Sequence, residues 1–286
     1  VPCDFFERST QVPSWLTPQH DLLMGSSTVW ALRSGFPRIK STPEGRLVSR
    51  GLPAKNMLFW VMGISAANQH LGIMGGSFNP VHYGHLRVAS DVKRTLALHS
   101  MRMMPAAKSP LKAEHAVSVS HRLAMLDLAL TEFPELELDT RELDREGPSY
   151  TIDSLQALRQ EAGDDATIYF VIGDDLLPTL NRWSRWQALT DYAHLLVASR
   201  PGTFMDIPSE VTAWWHDREI ALADLSSTPS GRVSRLECSL VDVSSSEIRQ
   251  LLNAGDRETG MIPHPVMEYI KRHKLYENSS QAEAVL

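Results

Sequence analysis

The sequence predicts an α/β protein with a Rossmann-like, doubly wound and mostly parallel sheet. From His70 onward, short apolar runs alternate with stretches in which apolar residues repeat at helical spacing. Such an alternation of strand and helix favours a parallel sheet that is covered by helices on both faces. The chain has 286 residues, 43% of them hydrophobic, which is enough for a sizeable core.

The first predicted elements follow one another directly. The apolar run "HLGIMG", 70–75, is typical of a buried strand, and "HLRVASDVKRTLAL", 85–98, has the apolar spacing of a helix. The run "SMRMMPA", 100–106, is strand-like. The stretch "SVSHRLAMLDLALTEF", 118–133, is predicted to be a helix with Ser118 as its N-cap.

The rest of the chain repeats this order. Further strands are predicted at 135–139, 167–173, 194–200 and 236–243. Further helices are predicted at 151–163, 244–255 and 264–276. The helix 151–163 ends at a glycine, as helices commonly do. Because ligands of such sheets bind beyond the carboxyl ends of the strands, each loop that follows a strand is a candidate site.

Composition divides the chain near residue 67. Residues 1–67 hold seven Lys or Arg against four Asp or Glu, six prolines, and no sustained helical or strand period. We therefore expect an irregular or disordered N-terminal extension at 1–67, an α/β domain at 68–278 and a C-terminal tail at 279–286.

We expect residues 1–61 to contribute nothing to catalysis. The sequence begins with Val instead of Met, and Met62 stands eight residues before the first strand, so Met62 is a candidate natural start. The competing interpretation is a genuine N-terminal tail with a binding or targeting role, which Trp15, Trp30 and Trp60 favour.

Charge, cysteine content and hydropathy exclude several classes of protein. A net charge of -6 argues against a general nucleic-acid binder, which usually carries a basic excess. No run reaches the roughly 18 apolar residues that span a bilayer, and "MLFWVMGISAA", 57–67, lies too far from the N-terminus for a secretion signal. Two cysteines are typical of a reducing compartment, so we expect a cytoplasmic protein without membrane or nucleic-acid partners.

The loop after the first predicted strand, "GGSFNPVHYGH", 75–85, is the main candidate site. Gly75 and Gly76 would let the backbone turn tightly and approach a ligand. The helix that begins near Tyr83 would direct its amides and positive dipole end at the same space. His82 and His85, three residues apart, would project together from the first turn and donate to phosphate oxygens.

Other interpretations of this loop stay open from the residues alone. Paired glycines are often only a turn, and two histidines at this spacing could be surface residues or half of a metal site. The common nucleotide motifs GxGxxG and GxxxxGK[ST] are missing. A metal site needs a third protein ligand, which no cysteine or HExxH pattern supplies, so we expect no metal bound by protein side chains.

The loop resembles the GGTFDPxHxGH signature of the HxGH nucleotidyltransferases, and within them the nicotinate-nucleotide adenylyltransferase family. The resemblance covers about residues 69–277. The stretch "VDVSSSEIR", 241–249, is similar to the family's ISSTxIR block, and "FVIGDD", 170–175, to its IGxD. The resemblance implies His82 and His85 as catalytic residues. It implies ATP contacts from Gly75, Gly76, Ser77, Phe78, Lys112, Gly173, Asp175, Ser244, Ser245, Ser246 and Arg249.

A second group of motifs concerns the other substrate. The stretch "GPSYTIDSL", 147–155, resembles the family's PSYTIDTL, which implies that Tyr150 and Thr151 help to hold a pyridine mononucleotide. Trp183 resembles the aromatic residue that stacks on the nicotinate ring, and Arg200 an arginine directed at the mononucleotide. For each motif a structural role is the alternative: a serine or aspartate cap, a helix start, a core tryptophan.

The chain departs from the family at one element. Where relatives carry PPH[KR] after the second strand, "SPLK" stands at 109–112; Lys112 keeps the basic position and Leu111 replaces the histidine. Lys108 is a candidate for compensating this loss at the triphosphate.

The resemblance implies transfer of the adenylyl group of ATP to nicotinate mononucleotide, with Mg²⁺ accompanying ATP. The alternatives are another acceptor, nicotinamide mononucleotide or phosphopantetheine, and a non-catalytic nucleotide-binding regulatory module on the same fold. The sequence gives no oligomeric state.

Overall fold

The computed structural model describes residues 69–107, 117–145, 147–199, 206–238, 243–256 and 260–277, and three short strands nearer the N-terminus. The chain divides into two units, 1–63 and 64–286. In the first, an antiparallel sheet has the order β1 (Val29–Trp30), β2 (Ile39–Ser41), β3 (Leu47–Ser49). The segment 1–67, predicted to be irregular, thus contains strands too short to give a periodic pattern. The rest of it lies outside the described residues.

The described part of the second unit is built on a six-stranded sheet in which all strands are parallel. The strands are β4 (His70–Gly76), β5 (Ser100–Pro105), β6 (Glu137–Leu138), β7 (Thr167–Gly173), β8 (His194–Ser199) and β9 (Val233–Glu237). Their order is β6-β5-β4-β7-β8-β9. The chain starts at the centre, winds to one edge, returns and winds to the other, so the predicted doubly wound fold is confirmed. Ligands of such sheets bind where the winding reverses, which here is the carboxyl ends of β4 and β7.

Helices connect these strands and follow the last of them. They are α1 (Tyr83–Thr95), α2 (Val119–Leu130), α3 (Thr151–Ala162), α4 (Leu189–Tyr192), α5 (Ser209–His216), α6 (Ser245–Asn253) and α7 (His264–Arg272). Turns of 3₁₀ helix lie at Asp174–Arg182, Trp186–Ala188 and Leu222–Ser227. No helix in the described ranges is long and apolar enough to cross a membrane.

The core has two layers, one on each face of the sheet. Buried residues of α1, α2, α6 and α7 pack with Tyr169 and Val171 of β7 on one face. Buried residues of α3 and α5 pack with Phe170 and Ile172 of the same strand on the other face. This alternation within β7 shows why its sequence is a continuous apolar run: both faces of a central parallel strand are buried.

Most predicted elements are confirmed, although some bounds differ and some elements were not predicted. The Ser118 hydroxyl caps α2 by accepting from the His121 amide at 3.3 Å, and Gly163 ends α3 with a φ of 88°. The last strand begins at Val233, three residues before the predicted start, because it is an edge strand with an exposed Arg235 and not a fully apolar run. Helix α5 and the 3₁₀ turn Asp174–Arg182 were not predicted; Pro178 lies inside that turn.

Candidate active site

The first candidate loop leaves the sheet differently from the prediction. Gly75 and Gly76 are the last two residues of β4, and neither has a positive φ; the residue that does is Phe78, with a φ of 45°. A Cβ atom on Gly76 would lie 3.1 Å from the ring of Phe78. The prediction that the glycine pair makes the tight turn is therefore wrong. Gly76 instead leaves space for the Phe78 ring, which is buried beneath the loop.

The two histidines lie together at the start of α1. His82 occupies the N-cap position and its ring centroid is 3.7 Å from that of His85. His82 is only 5% exposed, and this burial lowers its pKa to about 4, so its imidazole is neutral at pH 7. Its Nδ1 atom is buried without a hydrogen-bond partner in the described protein. Since an unsatisfied buried polar atom is costly, this nitrogen is a candidate ligand contact.

Steric contacts explain why a glycine stands between the two histidines. A Cβ atom on Gly84 would lie 2.9 Å from Nδ1 of His82 and 3.0 Å from Cγ1 of Val243. Both neighbours are held by the core, so any side chain at this position would displace the His82 ring. The spacing of the motif therefore reflects packing as well as chemistry.

The amides of α1 are only partly available to a ligand. The Tyr83 amide donates to the Met261 carbonyl at 3.0 Å. The expectation that the first amides of this helix face a phosphate is therefore wrong for Tyr83, because the chain before α7 already satisfies it.

The serines of α6 connect this helix to the candidate loop. Ser244 is its N-cap and accepts from the Glu247 amide at 3.1 Å, as the structural alternative predicted. The hydroxyl of Ser245 donates to the carbonyl of Pro80 at 3.0 Å. The start of α6 and the loop after β4 therefore form one structural unit.

Arg249 and Tyr276 hold the same loop from its other side. Arg249 donates through Nη1 to the Asn79 carbonyl at 2.8 Å and through Nη2 to the Ser246 hydroxyl at 3.1 Å. The Tyr276 hydroxyl donates to the side-chain oxygen of Asn79 at 2.5 Å, and burial raises the pKa of Tyr276. These contacts leave other N–H groups of the guanidinium for a ligand, because arginine has five donors.

These elements surround a cavity of about 760 Å³. It brings together every predicted ATP-binding and catalytic residue that the structure describes: Gly75, Gly76, Ser77, Phe78, His82, His85, Gly173, Asp175, Ser244, Ser245, Ser246 and Arg249. Lys112 lies outside the described residues, as does Lys108, so their predicted roles stay predictions.

Two aspartates follow β7 at the rim of this cavity. Asp175 is exposed, and a side chain on Gly173 would collide with its carboxylate. Asp174 is half-buried, and its Oδ2 atom has no hydrogen-bond partner in the described protein. Both carboxylates can accept hydrogen bonds from ligand hydroxyl or amino groups. Sequence analysis named Asp175 and missed Asp174.

A second cavity of about 580 Å³ lies beside the first. Tyr150, Thr151 and Trp183, the predicted mononucleotide contacts, all line it. Trp183 is half-buried, and its ring meets that of Phe170 edge-on at 6.3 Å between centroids. Arg200 lies outside the described residues.

Sequence analysis missed several residues of this second cavity. Its lining also includes Glu142, Ser149, Phe170 and Arg182. Burial raises the pKa of the Glu142 carboxyl, which accepts from the Ser154 hydroxyl at 2.7 Å and is also hydrogen-bonded to Ser149. Ser149 belongs to the matched "PSYT" stretch itself, whereas Glu142 lies six residues before that stretch and has no motif around it that could identify it.

The two cavities share part of their walls. Both are lined by Gly75, Gly76, Ser77, Asp175 and Leu176. Two ligands bound in them would therefore meet above the ends of β4 and β7, at the reversal point of the sheet. This arrangement suits group transfer between two bound molecules.

Comparison with known proteins agrees with this geometry. A family model described as cytidylyltransferase-like matches residues 73–251, more than half of the chain. The protein is thus of the nucleotidyltransferase class. In a solved structure of Plasmodium falciparum nicotinic acid mononucleotide adenylyltransferase complexed with NaAD, 98% of that chain matches 73% of this one, with a TM-score of 0.56. At 18% identity this likeness concerns the fold alone.

Sequence relatives define the family more narrowly. A probable nicotinate-nucleotide adenylyltransferase of Laribacter hongkongensis is 41% identical over 214 residues, 74% of this chain and 96% of the relative. One of Cellvibrio japonicus is 41% identical over 208 residues, 72% of this chain and 98% of the relative. The chain belongs to the nicotinate-nucleotide adenylyltransferase family.

Proposed function

We propose that this protein transfers the adenylyl group of ATP to nicotinate mononucleotide, giving deamido-NAD and pyrophosphate. The family to which the chain belongs supports this reaction. The structural observation that carries it is the pair of adjoining cavities, which share Gly75, Gly76 and Ser77 at the carboxyl end of β4. A reaction that joins two nucleotides needs two sites that meet.

The chemistry of each cavity suggests its occupant. The larger one presents His82, His85, Arg249 and the hydroxyls of Ser244 and Ser246, which are donors suited to a triphosphate. The second one presents the aromatic rings of Trp183 and Phe170 together with Tyr150, which suit a pyridine ring and its ribose. We therefore assign ATP to the first and nicotinate mononucleotide to the second.

The reaction is an in-line displacement. An oxygen of the 5'-phosphate of nicotinate mononucleotide forms a bond to the α-phosphorus of ATP, and the bond from that phosphorus to the bridging oxygen breaks. The electron pair leaves with pyrophosphate. The attacking phosphate is already an anion, so the reaction needs no general base. The protein contributes positioning and stabilisation of the charge that shifts onto the leaving group.

His82 and His85 are placed to stabilise that charge. In the free protein His82 is neutral, because burial lowers its pKa to about 4, and its ring carries one N–H group. A triphosphate beside the ring favours the protonated form and raises that pKa. Arg249 adds further donors for the β- and γ-phosphates while two of its bonds hold Asn79 and Ser246.

The second cavity favours an acid over an amide. The Thr151 hydroxyl, the Arg182 guanidinium and the positive N-terminal end of α3 all lie at its wall. These groups donate hydrogen bonds or carry positive charge, which suits the carboxylate of nicotinate. An amide in the same place would bring a donor against a donor, at a cost of about 1–3 kcal/mol. Arg200 and Lys112 remain predicted contacts of mononucleotide and ATP.

Magnesium is expected to enter with ATP. In the described ranges no group of three or more His, Cys, Asp or Glu side chains could form a protein cage for a metal ion. An ion that is held mainly by phosphate oxygens and water needs no such cage. Such an ion neutralises phosphate charge.

We place the reaction in the cytoplasm. Two cysteines in 286 residues are typical of a reducing compartment. Cys238 is buried and free, and burial raises the pKa of its thiol to about 11, so at neutral pH the thiol is protonated and unreactive.

Pyrophosphate release tests this proposal. ATP is mixed with nicotinate mononucleotide, nicotinamide mononucleotide or phosphopantetheine, and kcat/KM is compared. We expect the nicotinate form to be preferred over the amide by about 10- to 100-fold, from the cost of an unpaired buried donor. Comparable values for the acid and the amide would contradict the assigned substrate. No release with any acceptor would contradict adenylyl transfer itself.

A further inference from the structure

We propose that Arg122 is a positioning residue that sets the distance between the two cavities by holding the loops after β4 and β5 together. The proposal deepens the proposed function and rests on it. The guanidinium of Arg122 donates through Nη1 to the Ser77 carbonyl at 2.6 Å. Through Nη2 it donates to the carbonyls of Ala106 at 2.8 Å and Ala107 at 3.2 Å. One side chain therefore bonds to both loops at once.

These loops are the walls at which the cavities meet. Ser77 lines both cavities, and Ala106 lines the second. The Ala106 amide also donates to the Gly76 carbonyl at 2.9 Å, so the two loops are already in contact. A small movement of either loop would change the separation between the α-phosphorus and the attacking phosphate. In a reaction that depends on positioning, a misplacement of about 1 Å can cost about 100-fold in rate.

The connection continues into the mononucleotide cavity. The Ala107 amide donates to the Ser149 hydroxyl at 3.1 Å, and Ser149 is hydrogen-bonded to Glu142. Glu142 also accepts from Ser154 in the first turn of α3. The hydrogen bonds of Arg122 therefore belong to a continuous network from the ATP loop to the pyridine-binding helix.

Arg122 acts through these loops and touches no ligand. It is 1% exposed and is absent from the lining of both cavities. It lies on the apolar face of α2 with Met125, Leu126 and Ala129, where an apolar side chain would pack without any loss of hydration. What the arginine adds is a rigid planar fork that reaches three carbonyls in two loops.

Arg159, near the amino ends of the strands, provides a matched control. Arg159 of α3 is 9% exposed and likewise donates to backbone carbonyls. Its acceptors are Tyr192 at 2.8 Å, Gly163 at 2.9 Å, Asp164 at 3.2 Å, Ala166 at 2.5 Å and Pro229 at 3.0 Å. These carbonyls lie before β7, β8 and β9, and none of the five residues lines either cavity. Substituting Arg159 therefore reports the cost of losing a buried arginine without moving the site.

The experiment compares Arg122→Lys with Arg159→Lys in the full chain. Urea unfolding measures stability, and steady-state assays give kcat and both KM values. We expect Arg122→Lys to lower kcat by about 10- to 100-fold, with KM for either substrate changed less than about threefold, because a lysine cannot reach three carbonyls in one plane. Arg159→Lys should lose similar stability and keep kcat within about twofold.

A second variant of Arg122 completes the test. Arg122→Gln, which keeps two N–H donors on a shorter and uncharged side chain, should lower kcat at least as much as Arg122→Lys. Equal effects of Arg122→Lys and Arg159→Lys on kcat, or failure of both Arg122 variants to fold while Arg159→Lys folds, would overturn the proposal. The assays use whichever acceptor the unaltered protein adenylylates, so a different acceptor contradicts the proposed function and not this inference.

Discussion

The sheet has a carboxyl edge, where its strands end, and an amino edge, where they begin. Each of these edges carries a buried histidine and a buried arginine, and the two histidines differ in their hydrogen bonds. At the amino edge His194 accepts from the Arg232 amide at 3.2 Å and donates to the Thr228 carbonyl at 2.8 Å. At the carboxyl edge the Nδ1 atom of His82 is buried without a partner in the described protein. Burial lowers the pKa of both residues. A complete set of partners is what a purely structural histidine requires, and His82 lacks it.

The arginines differ in a second way. Arg122 and Arg159 both donate to several backbone carbonyls, so the kind of acceptor would not distinguish them. The acceptors of Arg122 belong to the walls of the cavities, whereas those of Arg159 lie just before strands begin. For a buried charged residue, function therefore follows from the location of its partners more than from its own chemistry.

The largest contrast between the edges is expected in catalysis. Substituting His82 or His85 with alanine should lower kcat by about 100- to 1,000-fold and raise KM for ATP much less, because their contacts strengthen in the transition state. His70→Ala at the amino edge, which loses a bond to the Tyr169 hydroxyl, should leave kcat within about twofold. Near-normal kcat in His85→Ala, measured by pyrophosphate release, would contradict the mechanism.

Acid should weaken the fold through the buried histidines. Burial lowers the pKa of His82 to about 4, while an unfolded histidine has a pKa near 6.5. Below pH 6.5 the unfolded chain binds more protons than the folded chain. Stability is therefore complete above that pH and falls between pH 6.5 and 4, by about 3 kcal/mol for His82 alone.

Urea unfolding at pH 7 and pH 4 measures this loss. His82→Asn should remove about that much of the pH dependence. An unchanged pH dependence in His82→Asn would show that burial of His82 is not its source.

Substitutions at two glycines distinguish an effect on catalysis from an effect on packing. Both effects are expected to be smaller than those at the histidines. Gly84→Ala places a methyl group against the His82 ring and should lower kcat about tenfold, since the displacement is a fraction of 1 Å. Gly72→Ala, in the first half of β4, meets the side-chain ends of Met101 and Leu98. It should cost about 1–3 kcal/mol of stability and leave kcat unchanged. Steady-state assays beside urea unfolding check both, and a reversed pattern would contradict the assignment.

The smallest effect is expected from the N-terminal region. A chain that begins at Met62 should fold and keep full adenylyl transfer, because every residue assigned to the two cavities lies beyond it. Its kcat and unfolding midpoint are compared with those of the full chain. An insoluble or inactive product would show that residues 1–61 are structural.

The fold and most of the site could be predicted because their signals are local. The order of strands and helices follows from periods within each segment, and the motifs around His82, Tyr150 and Ser244 lie at loops that follow strands. The glycine pair was misjudged for the same reason. The local preference of glycine predicted a turn, whereas the missing side chain of Gly76 leaves space for the ring of Phe78, which packs on it.

Arg122 and Glu142 could not be predicted because their partners are distant in sequence. The acceptor of Arg122 in the ATP loop is 45 residues away, and nothing near Arg122 indicates it. The single available signal was a charged residue on the apolar face of α2, in phase with Met125, Leu126 and Ala129. Such a signal predicts a buried partner without identifying it.

The bonds to Asn79 have a consequence for how activity arises during folding. Asn79 is held by Arg249, 170 residues downstream, and by Tyr276, 197 residues downstream. Contacts so far apart along the chain close long loops and form late. A growing chain can thus assemble the central strands before it can fix the loop that receives ATP. Transfer activity should appear abruptly, only when the last helix docks, and an incomplete chain would not consume ATP.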